Sequence, residues 1–238
     1  MGDGRADSAA RPPRLYGGKG DSMRTIRITG KGSMKVRPDT TRITLTLEKV
    51  CPEYADALRC SSESTEKMKD LLSGFGFVRF DLKTLHFSVD TEYESYKERN
   101  VYKQRLIGYR YRHVMKVEFL SDNERLGRIL YALANSPLNP EFRISFTVSD
   151  PEAAKNELLA AAVRDAKSKA EVVAEEAGVS IGEIVSIDYS WGQVEFEVHP
   201  VNELRMAKIE SAGSYDMDIE PDDIETSDTV TVTWEIVG

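Results

Sequence analysis

Cys51 and Cys60 are the only thiols in this 238-residue chain. A redox-active cysteine needs its thiolate stabilised by nearby cations or by a helix N-terminus. Lys49 stands close before Cys51, and Pro52 just after it suits the first turn of a helix. If that helix carries both cysteines, their α-carbons lie about 13 Å apart at 1.5 Å per residue, whereas a disulfide needs roughly 4.4–6.8 Å. The expectation is two ordinary unbridged thiols, which favours a reducing compartment. The serine-rich run from Cys60 to Thr65 has no paired histidine base, so covalent catalysis has no support there.

Other reactive types are scattered. His86, His113 and His199 stand singly in strand-like contexts, whereas metal ligands cluster or share one helix face. Gly30-Lys31-Gly32-Ser33 lacks the order of a phosphate loop, in which the lysine follows the second glycine, so a bulge or a close strand approach is the plainer meaning. Asp216, Asp218, Glu220, Asp222 and Asp223 alternate like oxygen ligands, but Pro221 stands where a calcium loop would turn on glycine, which leaves a solvated acidic loop. No catalytic set, metal or cofactor is expected.

One basic, aromatic segment remains. Tyr93, Tyr96, Tyr102, Tyr109 and Tyr111 are interleaved with Lys97, Arg99, Lys103, Arg105, Arg110 and Arg112. Such residues can stack bases and pair phosphates, and they are equally favoured at protein interfaces. Strand propensity accounts for many of the tyrosines by itself. The net charge of −8 disfavours a nucleic-acid partner. Tyr93, Tyr96, Tyr102, Tyr109, Arg110, Tyr111 and Arg112 are therefore the candidate protein-contact residues.

The elements that position them follow from periodicity. Ile26 and Ile28, then Ile43, Leu45 and Leu47, alternate with polar residues as two adjacent strands separated by Pro38-Asp39. Ala55, Leu58, Ser62, Thr65, Met68 and Leu72 fall on one helical face, which Gly74 and Gly76 terminate. Leu85 to Tyr93 and Tyr109 to Phe119 alternate as a long antiparallel hairpin. Ser121 and Glu124 form a capping box, and Ser149-Asp150-Pro151-Glu152 opens a further helix carrying Ala162, Ala166 and Ala170. So much alanine implies close approach to a neighbour. Strands resume from Ile184 to Val198 and from Ile224 to Ile236, with a polar stretch around 200–214 between them. The order ββαββ-αβαββ predicts an α+β fold, antiparallel sheet with helices packed on one face. Hydrophobic residues at 40% and charged residues at 30% are an ordinary globular balance. Apolar runs fall short of the roughly 20 residues a membrane-spanning helix needs.

Ile26 through Gly30 and Gly32 to Pro38-Asp39 resembles the opening of the SIMPL-domain family. Gly108-Tyr109, Phe146-x-Val148-Ser149-Asp150, the helix with Ala162, Ala166 and Lys169-Ala170, and Pro221 before Val230, Val232 and Trp234 extend the likeness over 23–238. The resemblance implies an α+β fold with no established enzymatic activity. Bacterial relatives include periplasmic immunogenic and oxidative-stress-linked proteins, some forming ring-like or hollow oligomers, and a mammalian relative is an adaptor for a Pelle-like kinase. Two departures stand out: Met1 to Ser22 lacks the apolar core of a secretory signal, and Asp222 follows Pro221 where a glycine is common.

Residues 1–22 are expected to be a flexible tail or an added leader, and 23–238 a SIMPL-like domain. The expected role is non-enzymatic: a homo-oligomer with a structural, scaffolding or stress-related task. The alternatives are an adaptor that binds another protein through 93–112, and an enzyme with an unrecognised site. The expected location is cytoplasmic, or the cell envelope if a native leader has been replaced.

Overall fold

A computed structural model describes residues 24–189, 194–199 and 219–238. Strands β1 (Thr25–Val36) and β2 (Thr40–Cys51) precede helix α1 (Tyr54–Ser73). Strands β3 (Lys83–Glu98) and β4 (Val101–Leu120), helix α2 (Asn123–Ala134), strand β5 (Glu141–Thr147) and helix α3 (Pro151–Glu176) follow. Strands β6 (Ser180–Asp188), β7 (Glu197–Val198) and β8 (Ile224–Val237) complete the described chain. The α+β class and nearly the whole element order agree with the periodicity.

β1 and β2 are consecutive but not paired. β1 lies in a 3-stranded sheet of order β1-β8-β6, while β2 lies in a 5-stranded sheet of order β3-β4-β2-β5-β7. Asp39 marks the crossing. Its amide donates to the Thr147 carbonyl (3.1 Å), and its own carbonyl accepts from the Ser121 amide (2.8 Å). Its carboxylate accepts from the Ser149 amide (2.7 Å) and hydroxyl (2.6 Å). One aspartate thus ties the start of β2 to the ends of β4 and β5.

That tie explains a shift in both predicted helix caps. Ser149 is occupied by Asp39, and the Ser121 hydroxyl meets Thr41 (3.2 Å). The next residue takes the capping role each time. Asp122 accepts from the Arg125 amide, and Asp150 accepts from the Ala153 amide, with Pro151 in the first turn. Helix α1 likewise begins at Tyr54 rather than Pro52, because β2 runs on to Cys51. Cys51 therefore belongs to a strand, and the separation computed for two cysteines on one helix does not apply.

Each sheet buries one face. In the smaller sheet, Val230, Val232 and Trp234 pack against Ala162, Ala166 and Ala170 of α3. Gly30 and Gly32 let the helix come close: a β-carbon at Gly32 would lie 2.2 Å from the Leu158 carbonyl oxygen. The glycine pair is therefore a close-packing device. In the larger sheet, Ile43, Leu45, Met115, Val117, Ile144 and Phe146 meet Met68 and Leu72 of α1 and Leu126, Ile129 and Leu133 of α2. Burying each such side chain contributes about 1.5–3 kcal/mol. The opposite face of this sheet carries charge, with Arg42 between Glu118 (2.7 Å) and Glu197 (2.5 Å). Val148, Phe196 and Ile224 form a third cluster with Met34 and Val36.

Candidate functional site

Strand β4 is longer than its inner neighbour. β2 pairs with it only from Leu120 back to Tyr109, opposite Cys51. At Gly108 the ribbon passes so near β2 that a β-carbon would fall 2.3 Å from the Cys51 carbonyl oxygen, and its φ of +150° is one that L side chains rarely adopt. The register then slips between Glu92 and Tyr93, which leaves Ile107 as an extra residue in a bulge. Beyond it the hairpin continues without a further strand among the described residues, from the pair Tyr93–Leu106 to the pair Glu98–Val101. At about 3.4 Å per residue these pairs form an arm of roughly 20 Å. Arg99 (φ 48°) and Asn100 (φ 63°) close it with the two positive φ values of a tight I′ turn.

The arm's surface is partly apolar. Tyr93, Val101, Tyr102, Leu106 and Ile107 are all exposed, Tyr102 by 77%. Its charges pair internally: Arg105 with Glu94 (2.7 Å) and Lys103 with Glu98 (2.5 Å). Lys97 lies over the Tyr102 ring and Arg105 over the Tyr96 ring, each 5.9 Å from the centroid.

At the arm's root, Arg110 makes a two-pronged contact with Glu92 (2.9 and 2.7 Å) and reaches Glu48 (3.1 Å). The hydrogen bonds from Arg110 hold the Glu92 carboxyl below its usual range, and Glu92 raises Arg110 in turn. Arg112 is exposed and approaches Glu48 only at 4.0 Å.

The seven candidate contact residues consequently separate. Tyr93, Tyr96, Tyr102 and Arg112 are exposed. Tyr111 is 2% exposed, and its hydroxyl donates to Ser64 (3.2 Å), so it belongs to the core. Tyr109 packs edge-on against Tyr54 at 5.7 Å. Arg110 is engaged by its own sheet. Val101, Leu106 and Ile107 also belong to the arm's surface, and as plain aliphatics they carry none of the tyrosine-and-cation signal that marks the others in the sequence.

The remaining candidates do not converge. His113 is half-buried between two hydroxyls, Thr65 on Nδ1 (3.0 Å) and Thr84 on Nε2 (2.9 Å). His199 lies 3.9 Å from Glu197. Among the described residues, no group of three or more His, Cys, Asp or Glu side chains is placed to hold a metal ion. A recess of about 440 Å³ beside β1 is lined by Lys31, Ser33, Lys35 and Glu225, and there Lys35 already pairs with Glu225 (3.3 Å). Of the acidic run, Asp216 and Asp218 lie outside the described residues, as does the polar stretch at 200–214. Asp223 meets Lys35 (3.5 Å).

These features define an α+β protein of two one-sided antiparallel sheets with a projecting ribbon. The chain belongs to the SIMPL family, described as a protein of unknown function (DUF541), whose model matches residues 26–234. It is 26% identical over 163 residues to a 26 kDa periplasmic immunogenic protein of Brucella melitensis, covering 68% of this chain and 65% of that protein. The protein of that name from Brucella abortus matches to the same extent. An uncharacterised protein, YggE, of Edwardsiella ictaluri is 26% identical over 164 residues, covering 69% of this chain and 67% of that one. The first two matches therefore span about 65% of those relatives' own length. Among the described residues, no helix is long and apolar enough to cross a membrane.

Proposed function

We propose that this chain works by assembling with itself through the hairpin arm, as a non-enzymatic structural or stress-related protein. One observation carries the reading. Among the described residues, the ribbon from Tyr93 to Leu106 has no third strand on either side, and it exposes apolar side chains. An isolated two-stranded hairpin is marginal in water, and unpaired strand edges are templates for pairing. A second copy is the occupant that fits. Glu94 and Glu98 stand on β3 with Lys103 and Arg105 beside them on β4, so a two-fold partner arm laid face to face, its β4 over this β3, sets opposite charges together.

The test shortens the arm by joining Glu92 to Gly108 through a two-residue Asn-Gly turn and measures mass by light scattering across concentrations. The expected result is an oligomer for the full chain and a smaller species, with unchanged circular dichroism, for the shortened one. A full chain that is monomeric at every concentration overturns the reading.

An adaptor role is the second reading, supported by the exposed Arg112 beside the arm. Its test is Arg112→Glu, which should abolish capture of another protein without changing assembly. Arg110 is unsuited to that test because Glu92 and Glu48 need it. The two unbridged thiols favour the reducing cytoplasm, and the similarity to a periplasmic immunogenic protein makes the cell envelope the alternative.

A further inference from the structure

The end of β2 and the first turns of α1 bring the chain's two thiols into one corner of the core. Cys51 ends the strand and is 3% exposed. Only Pro52 and Glu53 intervene before α1 starts at Tyr54, so the chain reverses over the strand it has just left. Contacts on either side of Cys60 fix how the helix lies. Tyr54 meets the ring of Tyr109, which is the β4 partner of Cys51, and Ser64 receives the hydroxyl of Tyr111. Cys60 falls between those contacts, partly exposed, and packs against the cluster that contains Cys51.

The surroundings give the two sulfurs different parts. Burial first, and then the neighbouring Cys60 thiol, push the Cys51 thiol up from its ordinary value, with Lys49 opposing. Cys51 stays a protonated thiol, shielded from solvent. Cys60, partly exposed, is the more accessible of the two residues.

We propose that Cys60 and Cys51 form a peroxide-responsive dithiol, Cys60 reacting first and Cys51 resolving it to an internal disulfide. The Cys60 thiolate attacks one oxygen of hydrogen peroxide, the O–O bond breaks, and a sulfenic acid forms with release of hydroxide. The Cys51 thiol then gives its proton to that hydroxide, and its sulfur attacks the Cys60 sulfur. The S–O bond breaks and the leaving hydroxide takes a proton from solvent. The thiol pair loses two electrons and peroxide becomes two waters. The bridge would fasten the start of α1 to the strand end over which Gly108 passes, at the root of the arm.

The experiment treats the full-length, reduced chain with hydrogen peroxide, denatures it in excess N-ethylmaleimide, and locates modified cysteines by peptide mass mapping. The expected result is loss of both alkylatable thiols, a Cys51–Cys60 cross-linked peptide, and recovery of both thiols with dithiothreitol. In Cys51→Ala, Cys60 should instead be captured as a sulfenic acid by dimedone. Thiols that both remain alkylatable, a wild-type Cys60 that ends as sulfinic acid, or a bridge only between chains each overturn the proposal. The wild-type cross-link map decides the matter even if Cys51→Ala does not fold.

Discussion

Gly30 on β1 lies against α3 so closely that a β-carbon there would sit 2.1 Å from the Ala162 carbonyl oxygen and 2.4 Å from the Ala166 amide nitrogen. Both obstacles are backbone, so no side-chain rotation relieves the clash. Sheet and helix would have to separate, opening the cluster of Val230, Val232 and Trp234.

Gly30→Ala should therefore cost more than the usual 1–3 kcal/mol of an overpacked core, about 3 kcal/mol or above. Gly178→Ala is the control. It has φ +72° but no atom of the described residues within 4 Å of a new β-carbon, so it should cost only about 1 kcal/mol. Urea unfolding of the two variants checks the ranking, and equal midpoints would deny the close contact.

The glycine pair also shows what the residues disclosed in advance. Gly30, Gly32 and the alanines of α3 were legible separately as signs of close approach, yet nothing local said that they face each other. The helix and strand lie more than a hundred residues apart in the chain, and their meeting depends on β8 entering between β1 and β6. Cys51 illustrates a boundary error with a larger consequence. Pro52 reads as a helix start, but β2 keeps its pairing with β4 to Cys51, and two residues of shift place Cys60 against the core cluster that contains Cys51. The arm was legible as a hairpin because alternation is a local signal. That Tyr111 turns inward while Tyr102 turns outward was not, because it depends on where β2 stops.

Asp39 should dominate acid sensitivity at the junction of the sheets. Burial opposes ionisation, but hydrogen bonds from Ser149 and Thr40 outweigh it and hold the carboxyl below its ordinary value. A carboxylate lowered on folding stabilises above its unfolded pKa of about 3.9, and that contribution disappears as pH falls through the folded value. Asp39 is exposed, so solvent screens its hydrogen bonds and Asp39→Asn should lose about 1 kcal/mol at pH 7. The gap from wild type should narrow below roughly pH 4. Parallel denaturation curves from pH 2 to 7 test this, and a pH-independent gap would contradict it.

His113 should respond with the same sign, in a higher window. Burial and then the Lys69 charge lower its pKa, so the folded chain prefers the neutral ring. Its contribution is complete above the unfolded value of about 6.5 and fades as pH falls through the folded value. Proton NMR should show the ring titrating below about pH 6.5. His113→Gln should flatten the stability profile between about pH 5 and 7. A ring that titrates above the unfolded value would reverse the assignment.

Arg125 is held as a planar group. Its guanidinium lies 4.3 Å from the Phe77 centroid and 5.0 Å from that of Phe119, and it donates to the Phe75 carbonyl (2.8 Å). Lysine keeps the charge but cannot stack on two rings while directing an N–H at a fixed carbonyl. Arg125→Lys should therefore destabilise by about 1–2 kcal/mol, the combined scale of a cation–π contact and a charged hydrogen bond. The loss should appear locally as well. Amides between Gly74 and Leu82, which the guanidinium fastens to the start of α2, should exchange faster, while those of β8 in the other sheet should keep their rates relative to global unfolding. Uniform acceleration across both sheets would mean that Arg125 supports the whole fold rather than this one connection.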